Sequence, residues 1–528
     1  MSHAEKRLPY NILLITCDQL RYFRDDEWPE GFTLPNMERL KEMGISFDNH
    51  YICASVCTPS RASMYTGLHT PVHGVFDVSM MPVGSPDRLP SQHKTLGHWL
   101  ASAGYYTAYK GKWHLDQEIA HPPQGFDVAR EMKARYGFED YDGEVSSRML
   151  GGYYQDEGIA ASAIAWLRRQ GRGLNNGEKP WFLAVNFVNP HDIMFYGHAG
   201  QEKNPGNRLS IPHGEPKHEV YQPQWSITPN NWQQSLTLDR PAAHLAFRDT
   251  NDLFTGPVDY TLDDWRRYNS FYLNSTRLLD RQIGRLIREL EEQRIMDKTV
   301  ILFTSDHGEL AGAHGGMKGK GPVIYEEAIH VPMVMVHPDY RGGRRCPALT
   351  GHIDLVPTIL GNTDMAPGLR AQIEALPGHD MTPLLANPET GKLRDALLFA
   401  FDMLTFLDSN PLQTFLMNRK RGASTAATPN MDRRGLIRMA FDGRYKFARY
   451  FAPSRYNTPE TMEALLAHND LELYDLEENI RETVNLGADP AANGELIIGM
   501  NEKLNRLIER EVGEDKGEML PRRENGPL

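Results

Sequence analysis

The sequence has few cysteines, no long hydrophobic run and no excess of positive charge. Four cysteines in 528 residues are too few and too scattered for a disulfide framework or for metal sites built from paired cysteines. No segment is long and apolar enough to span a bilayer, and the N-terminus lacks an apolar signal region before the first strand. A net charge of -12 argues against general binding to nucleic acid or to acidic membranes. We therefore expect a soluble, cytoplasmic protein that binds neither nucleic acid nor membranes.

Apolar runs that end in polar residues predict the fold. The first run is apolar almost without a break, as in a strand buried between two layers of helices. Such runs recur and alternate with helical patterns; they are Tyr10–Cys17, Trp181–Val188, Thr299–Thr304 and Val331–His337. We therefore expect an α/β fold with a large, mostly parallel sheet flanked by helices. The polar residues after these strands would then meet in one crevice at the carboxyl ends of the sheet; they are Asp18, His191, Asp306 and His307.

The chain changes in character after Pro383. Short strand-like runs separated by turns follow, and a helical pattern extends from Ala492 to Arg510. Because the chain is too long for one simple core, we expect a large domain over 1–382 and a smaller one over 383–528, with an antiparallel sheet and a terminal helix. Residues 195–262 show little periodicity and predict a long irregular excursion, and such loops usually serve as lids or binding loops.

The segment from Ser55 to Gly67 places Cys57 two residues before a proline and four residues before Arg61. On this segment alone, two interpretations stand side by side. Cys57 is either a reactive group or a small buried hydrophobic residue near the start of a helix, which is the usual position of a free cysteine. On a following helix, Arg61 would lie on the same face as Cys57.

Two pairs of candidate metal ligands lie far apart in the sequence. Asp18 and Gln19 follow the first predicted strand, and Asp306 and His307 follow a later one. Either pair alone is typical of a turn at the end of a strand. Together, at neighbouring strand ends, they would offer hard oxygen ligands and one imidazole to a single divalent cation.

These segments resemble the sulfatase family, whose fold belongs to the alkaline phosphatase superfamily. The resemblance covers nearly the whole chain, and the family order is matched by Asp18, Cys57, Lys112, His191 and Asp306. It implies that a formylglycine-generating enzyme oxidises Cys57 to formylglycine. A hydrated aldehyde has two hydroxyls, so one attacks sulfur to give a covalent sulfo-enzyme and the other later expels sulfate. The resemblance also implies one divalent metal ion held by Asp18, Gln19, Asp306, His307 and the modified Cys57.

The stretch from Lys110 to Leu115 resembles the Gly-Lys-Trp-His element of the family. By this resemblance, Lys112 binds a sulfate oxygen and the aldehyde, because a compact positive charge stabilises the charge that develops there. His114 takes a proton from the remaining hydroxyl during elimination, a general-base role that suits imidazole. Arg61 would hold the hydroxyl of the nucleophile in position.

Two further roles are implied by the family. His191 matches a histidine that protonates or binds the leaving oxygen. In the family, a lysine lies shortly before the Tyr-Glu-Glu element. Here Lys318 and Lys320 are both candidates, and a one-residue difference in spacing from the family leaves the choice open. We favour Lys320, because Lys-Gly-Pro runs directly into the helix-like segment that follows.

Two positions depart from the pattern of many sulfatases. Gln19 stands in place of a second aspartate and His307 in place of an asparagine, which shifts the preference from Ca²⁺ toward Mn²⁺ and leaves both open. The same pairs resemble a branch that contains choline sulfatases and phosphonate monoester hydrolases. The Lys112-Trp113-His114 element is not expected in the phosphonate hydrolases, and its presence here favours a sulfatase.

We therefore predict an arylsulfatase-like sulfuric ester hydrolase. Its substrate would be a small-molecule sulfate monoester, aryl or small alkyl, cleaved to a phenol or alcohol and inorganic sulfate. One alternative is a phosphonate monoester hydrolase or phosphodiesterase on the same scaffold. Another is a non-catalytic relative that binds an anion, although such a protein has no reason to keep the full set of site residues. Relatives in this branch often assemble, so a homo-oligomer stays open.

Overall fold

Two β-sheets organise the structure, a computed structural model that describes residues 9–78, 86–143, 150–196, 216–229, 231–256, 260–419 and 427–521. The strands are β1 Asn11–Asp18, β2 Ile45–Tyr51, β3 Tyr106–Gly111, β4 Asp140–Asp142, β5 Trp181–Pro190, β6 Thr299–Ser305, β7 Met333–Val336, β8 Arg344–Gly351, β9 Leu397–Phe401, β10 Leu436–Phe441, β11 Tyr445–Phe451 and β12 Asp470–Asp475. The helices are α1 Pro35–Met43, α2 Cys57–Thr66, α3 Thr70–His73, α4 Leu96–Ser102, α5 Gln117–Ala120, α6 Val128–Tyr136, α7 Gly151–Trp166, α8 Arg172–Asn176, α9 Ala242–Thr255, α10 Leu262–Glu292, α11 Ala313–Gly316, α12 Glu326–Ile329, α13 Leu355–Gly361, α14 Pro367–Glu374, α15 Asn410–Arg419, α16 Met462–His468 and α17 Pro490–Glu511.

The first sheet has eight strands in the order β4-β3-β5-β1-β6-β7-β2-β8. Strand β1 lies at its centre and pairs in parallel with β5 and β6. Only β7 runs antiparallel to its neighbours β6 and β2. The predicted large, mostly parallel sheet is thus confirmed, and the carboxyl ends of β1, β5 and β6 meet at one edge.

Both faces of this sheet are covered, which explains why its strands are apolar without alternation. In β1, Leu13 and Ile15 contribute to one hydrophobic core, whereas Ile12 and Leu14 contribute to the other. Helices α1, α7 and α10 pack on the first face. Helices α2, α4, α6 and α13 pack on the second. The apolar stripe of α10 is buried along its length; its members are Leu279, Ile283, Leu286, Ile287 and Leu290.

The second sheet has four antiparallel strands in the order β12-β11-β10-β9. One face carries Phe447 and Leu473 and packs on α17 through residues such as Leu504. The opposite face carries Met439 and packs on the segment around Ile329. The predicted antiparallel sheet and terminal helix are therefore present, and the sheet is packed on both faces.

Strand β8 and helix α9 are two of the elements that the sequence did not predict. Strand β8 was not predicted, because it begins with two arginines and contains Pro347; it lies at the edge of the sheet, where proline is tolerated. The expected irregular excursion over 195–262 contains helix α9. Its buried face includes the polar residues His244 and Asn251 beside Phe247, so no apolar stripe revealed it. Residues 197–215, 230 and 257–259 of that excursion lie outside the described residues.

In the part of the chain that the structure describes, no helix combines the length and apolar character needed to cross a bilayer.

A buried ion cluster connects the two sheets. Lys446 of β11 donates hydrogen bonds to Glu326 Oε1 at 2.6 Å and to Glu482 Oε1 at 2.7 Å. All three side chains are at most 5% exposed. Glu326 lies on α12, beside the first sheet, so the lysine ties the second sheet to it. Without its ammonium group, Glu482 would lose its charged partner beside a second buried carboxylate, whereas Glu326 would keep Arg24 and His330.

We predict that Lys446→Met lowers the free energy of unfolding by about 3–5 kcal/mol, because it leaves the buried Glu482 beside Glu326 without a cation. The matched control is Lys503→Met. Lys503 pairs with Asp442 at 2.5 Å but is 32% exposed, and we expect a loss of at most about 1 kcal/mol there. Urea-induced unfolding of the two variants measures the difference. Equal losses in both variants would show that the Lys446 cluster does not join the sheets energetically.

Candidate active site

Cys57 is the first residue of α2 and lies at the sheet edge where β1 and β6 end. All ten residues of α2 are buried, and Cys57 is itself buried. Its Sγ lies 3.0 Å from His307 Nε2 and 3.7 Å from Asp18 Oδ1. The start of a helix favours negative charge on a nearby group. The predicted nucleophile position thus lies directly against two of the predicted metal ligands.

Four side chains offer donor atoms to one point in space. The ligand atoms of Asp18, Cys57, Asp306 and His307 all lie within 4.8 Å of one another. His307 Nδ1 lies 2.9 Å from the Gly308 carbonyl oxygen. Because Nδ1 donates its proton to that carbonyl, Nε2 keeps a lone pair for a ligand bond. Two carboxylates and an imidazole in this arrangement fit a single divalent cation.

Arg61 and Lys112 supply the positive charge that this buried site needs. Arg61 Nε lies 2.8 Å from Asp306 Oδ2, and its Nη2 lies 3.2 Å from Asp18 Oδ2. Its Nη1 donates to the main-chain oxygen of Lys112 at 3.0 Å. Lys112 Nζ lies 2.5 Å from Asp18 Oδ2. The hydrogen bonds of Arg61 therefore reach the two carboxylates that surround residue 57, which fixes both of them relative to α2.

The pKa values of the two carboxyl groups separate because their neighbours differ. Burial disfavours the charge on Asp18, but Lys112 and Arg61 outweigh it and hold its pKa well below the usual range. Burial and the charge of Asp18 raise the pKa of Asp306 to about 6. Burial also disfavours the charge on Lys112, yet Asp18 raises the Lys112 pKa above its ordinary value. Asp18 and Lys112 are thus both charged near neutral pH.

Gln19 is held by two side chains, one of which sequence reasoning missed. Its Nε2 donates to Glu309 Oε2, and its Oε1 accepts from Lys320 Nζ. Glu309 is fully buried, and its Oε1 accepts from the Ala311 N–H at 2.9 Å and the Gly319 N–H at 2.7 Å. Glu309 therefore fixes both the amide of Gln19 and the loop that carries Lys320. The only sequence signal for it was a carboxylate two residues after His307.

The two candidate lysines have different surroundings. Lys320 Nζ reaches Gln19, which directly follows Asp18, and lies 3.8 Å from Met194 Sδ. Lys318 Nζ instead lies 3.4 Å from the Gly256 carbonyl oxygen and 5.2 Å from the centre of the Tyr260 ring. Burial lowers the pKa of Lys318 to about 8. Of the two, Lys320 is the one hydrogen-bonded to a residue of the predicted metal set.

His114 and His191 contribute neutral imidazoles. Burial, reinforced by the charge of Lys112, lowers the pKa of both rings well below the usual value. Neither ring nitrogen of His114 has a hydrogen-bond partner among the described residues, and the same holds for Nδ1 of His191. These rings are therefore free to exchange a proton or a hydrogen bond with a bound molecule.

The arrangement can bind and polarise a small oxyanion. Lys112 and Lys320 place two ammonium groups near the carboxylates that would hold a cation, and both lysines are buried from water. In a site that excludes water, such fixed charges stabilise developing negative charge far more than they would in solution. Cys57, the predicted nucleophile, lies against Asp18 and His307.

Comparison with known proteins agrees with this geometry. The profile of the sulfatase family matches residues 10–365. The chain belongs to the sulfatase family. An ulvan-active sulfatase of Formosa agariphila is 25% identical over 407 residues, which are 74% of this chain and 67% of that protein. The choline-sulfatase of Rhizobium meliloti is 25% identical over 374 residues, 66% of each chain. The chain thus spans about two thirds of the length of these relatives.

Solved structures show the same fold. A 2-O GAG sulfatase superposes with a TM-score of 0.67 at 20% identity, covering 95% of this chain and 92% of that one. The phosphonate monoester hydrolase of Agrobacterium radiobacter superposes with a TM-score of 0.63 at 22% identity, covering 95% of this chain and 96% of that one. The sulfatase resemblance and the alkaline phosphatase-like fold expected from the sequence are confirmed. The chain is a hydrolase of a family that acts on sulfate esters.

We predict that Lys320→Met lowers kcat/KM on an aryl sulfate by about 10²–10³-fold, because one preorganised cation is lost from the site. Lys318→Met is the matched control, since that side chain is equally buried but bonded elsewhere, and we expect a smaller loss. Steady-state kinetics on both purified variants measures the effect. A larger loss in Lys318→Met than in Lys320→Met would reverse the assignment of the two lysines.

Proposed function

We propose that the chain is a formylglycine-dependent sulfatase that hydrolyses small aryl or alkyl sulfate monoesters to a phenol or alcohol and inorganic sulfate. The observation that carries this proposal is the position of Cys57, whose Sγ lies within 3.7 Å of both Asp18 Oδ1 and His307 Nε2. Lys112 supplies a buried positive charge beside them. Membership of the sulfatase family supports sulfate esters as the substrate class.

Cys57 is the proposed site of formylglycine, made by a formylglycine-generating enzyme during maturation. Once formed, the hydrated aldehyde supplies two hydroxyls on one carbon, one for attack at sulfur and one for the release of sulfate. The surroundings of Cys57 suit such a group, because a carboxylate and an imidazole nitrogen already lie against its Sγ. Arg61 contributes by holding Asp18 and Asp306 in place on either side of residue 57.

The proposed metal site consists of Asp18, Asp306, His307 and residue 57. Gln19 is the further proposed ligand, and its amide oxygen would bind the ion beside the ammonium group of Lys320, from which it accepts a hydrogen bond. When bound, a divalent cation supplies Lewis-acid polarisation of a sulfate oxygen. Ca²⁺ and Mn²⁺ are the two candidates. The imidazole of His307 favours Mn²⁺, since Ca²⁺ prefers oxygen ligands alone.

Lys112, Lys320 and the two histidines complete the proposed chemistry. Lys112 and Lys320 bind sulfate oxygens and hold the ester in line with residue 57. His114 takes a proton from the hydroxyl of residue 57 during release of sulfate, which suits its neutral ring and its two unpartnered nitrogens. His191 gives a hydrogen bond or a proton to the leaving oxygen. The negative charge of a bound substrate would raise the pKa of His191 toward the range in which it can act as an acid.

We propose further that residues 1–382 form the catalytic domain and residues 383–528 a C-terminal subdomain. All the site residues described above lie before Pro383, and the whole second sheet lies after it. The alternative function is a phosphonate monoester hydrolase or phosphodiesterase. It is supported by likeness of fold to the phosphonate hydrolase, whereas the Lys112-Trp113-His114 element favours the sulfatase.

We predict that kcat/KM is higher on a nitrophenyl sulfate than on the matched nitrophenyl ester of phenylphosphonate. Cys57→Ala should lower kcat on the sulfate by about 10⁴–10⁶-fold, as the loss of a covalent nucleophile does elsewhere, without a change in the melting temperature. Cys53→Ala, another buried cysteine outside the cluster, is the control and should retain activity. Faster turnover of the phosphonate would favour the alternative function. Full activity in Cys57→Ala would contradict the covalent mechanism.

A further inference from the structure

Two buried aspartates link helix α7 with the end of β5, where His191 follows. Asp156 of α7 accepts the N–H groups of Val188 at 2.7 Å and Asn189 at 3.0 Å. In the opposite direction, Asp192 accepts the N–H groups of Gly152 at 2.9 Å and Tyr153 at 2.8 Å in the first turn of α7. We call these four hydrogen bonds the reciprocal clamp. It anchors the main chain just before His191 and the residue just after it.

The contact between the two elements is close. A Cβ atom on Gly152 would lie 2.3 Å from Cγ of Asn189, so only glycine allows this approach without a shift. Helix α7 therefore lies directly against the residues that lead into His191. A displacement of the first turn of α7 would be passed to this segment.

The clamp consists of two carboxyl groups in an environment that disfavours charge. Asp156 and Asp192 are both fully buried, and neither pairs with a lysine or arginine among the described residues. Burial raises the pKa of Asp156 to about 8 and that of Asp192 to about 6. A buried carboxyl group that faces two main-chain N–H groups is expensive to maintain for packing alone. The presence of such a group at both ends of one short segment supports a role in holding the position of that segment.

The described residues offer the His191 ring few polar contacts. Its Nδ1 is buried and has no hydrogen-bond partner among the described residues. Its ring meets Phe195 edge-on at 5.7 Å between ring centres, a contact that limits the ring without fixing its nitrogens. The main chain on its two sides therefore contributes to the position of the imidazole, and that is where the clamp acts.

We propose that Asp156 and Asp192 are positioning residues that hold His191 in the orientation needed to serve the leaving oxygen. The proposal rests on the role of His191 in the proposed function. A general acid works only when its proton lies within hydrogen-bond reach of the accepting atom, and small displacements of such a group greatly reduce the rate. In Asp156→Asn or Asp192→Asn, the amide NH₂ would face a main-chain N–H in place of an oxygen, and the segment would move away from α7.

Crystal structures of the two asparagine variants test the geometric part without any assay. We expect the His191 ring to be displaced or to adopt more than one orientation, while the cluster of Asp18 and Asp306 stays in place. The matched control is Asp280→Asn, because Asp280 is also a buried carboxylate that accepts two main-chain N–H groups, from Asn36 and Met37. An unchanged His191 in both clamp variants would overturn the proposal, whatever ester the enzyme cleaves.

Kinetics with a series of aryl sulfates of rising leaving-group pKa tests the functional part. We expect Asp156→Asn and Asp192→Asn to lose about tenfold in kcat/KM on the best leaving groups and about 10²-fold or more on the poorest, because only poor leaving groups need the acid. His191→Ala should give the same steep dependence, and adding Asp156→Asn to it should change little.

The Asp280→Asn control should lose the same small factor on every ester. A uniform loss across the series in the clamp variants would also overturn the proposal, because it would indicate a purely structural role. If the wild-type protein turns over phosphonate esters and not sulfates, the same series is run with aryl phosphonates. That result would count against the proposed function, while the dependence on leaving group would still decide the role of the clamp.

Discussion

Two carboxylates, Asp18 and Asp306, are buried at neighbouring strand ends, and the positive charges of Arg61 and Lys112 offset the free-energy cost of burying them. A carboxylate without such partners would cost several kcal/mol in the interior of a protein. Arg61 suits the task because its planar fork contacts both carboxylates from α2. The same contacts fix the first turn of α2 against β1 and β6. The position of Cys57 relative to its neighbours therefore depends on this charge balance.

The parallel sheet brings the site residues together. Because β1, β5 and β6 are parallel and adjacent, their carboxyl ends bring Asp18, His191 and Asp306 to one edge from distant parts of the chain. Other buried side chains then hold these segments in place. Glu309 fixes Gln19 and the Lys320 loop, and the clamp of Asp156 and Asp192 holds the segment around His191. The site thus combines a charged centre with two buried networks of carboxyl groups, one behind the proposed metal ligands and one behind a proposed acid.

Much of this could be predicted from the sequence, for identifiable reasons. Apolar runs that end in polar residues predicted the central strands and placed Asp18 and Asp306 at one edge, because burial on both faces leaves a strong pattern. Residues whose role is to form hydrogen bonds leave no such pattern in the sequence. Glu309 and Asp156 are single acidic residues within ordinary local sequence. Helix α9 buries polar side chains, so its sequence is similar to that of a loop. The choice between Lys318 and Lys320 depended on the direction of each side chain, which spacing does not encode.

The central claim is that Cys57 becomes the nucleophile of this site. Peptide mass spectrometry across residues 52–70, on active protein from its native host and with an aldehyde-trapping reagent, tests it most directly. The account predicts a lighter residue 57 that reacts with the reagent, while Cys53 in the same peptide keeps its thiol. An unmodified Cys57 in fully active protein would contradict the account and would require a different nucleophile at this site.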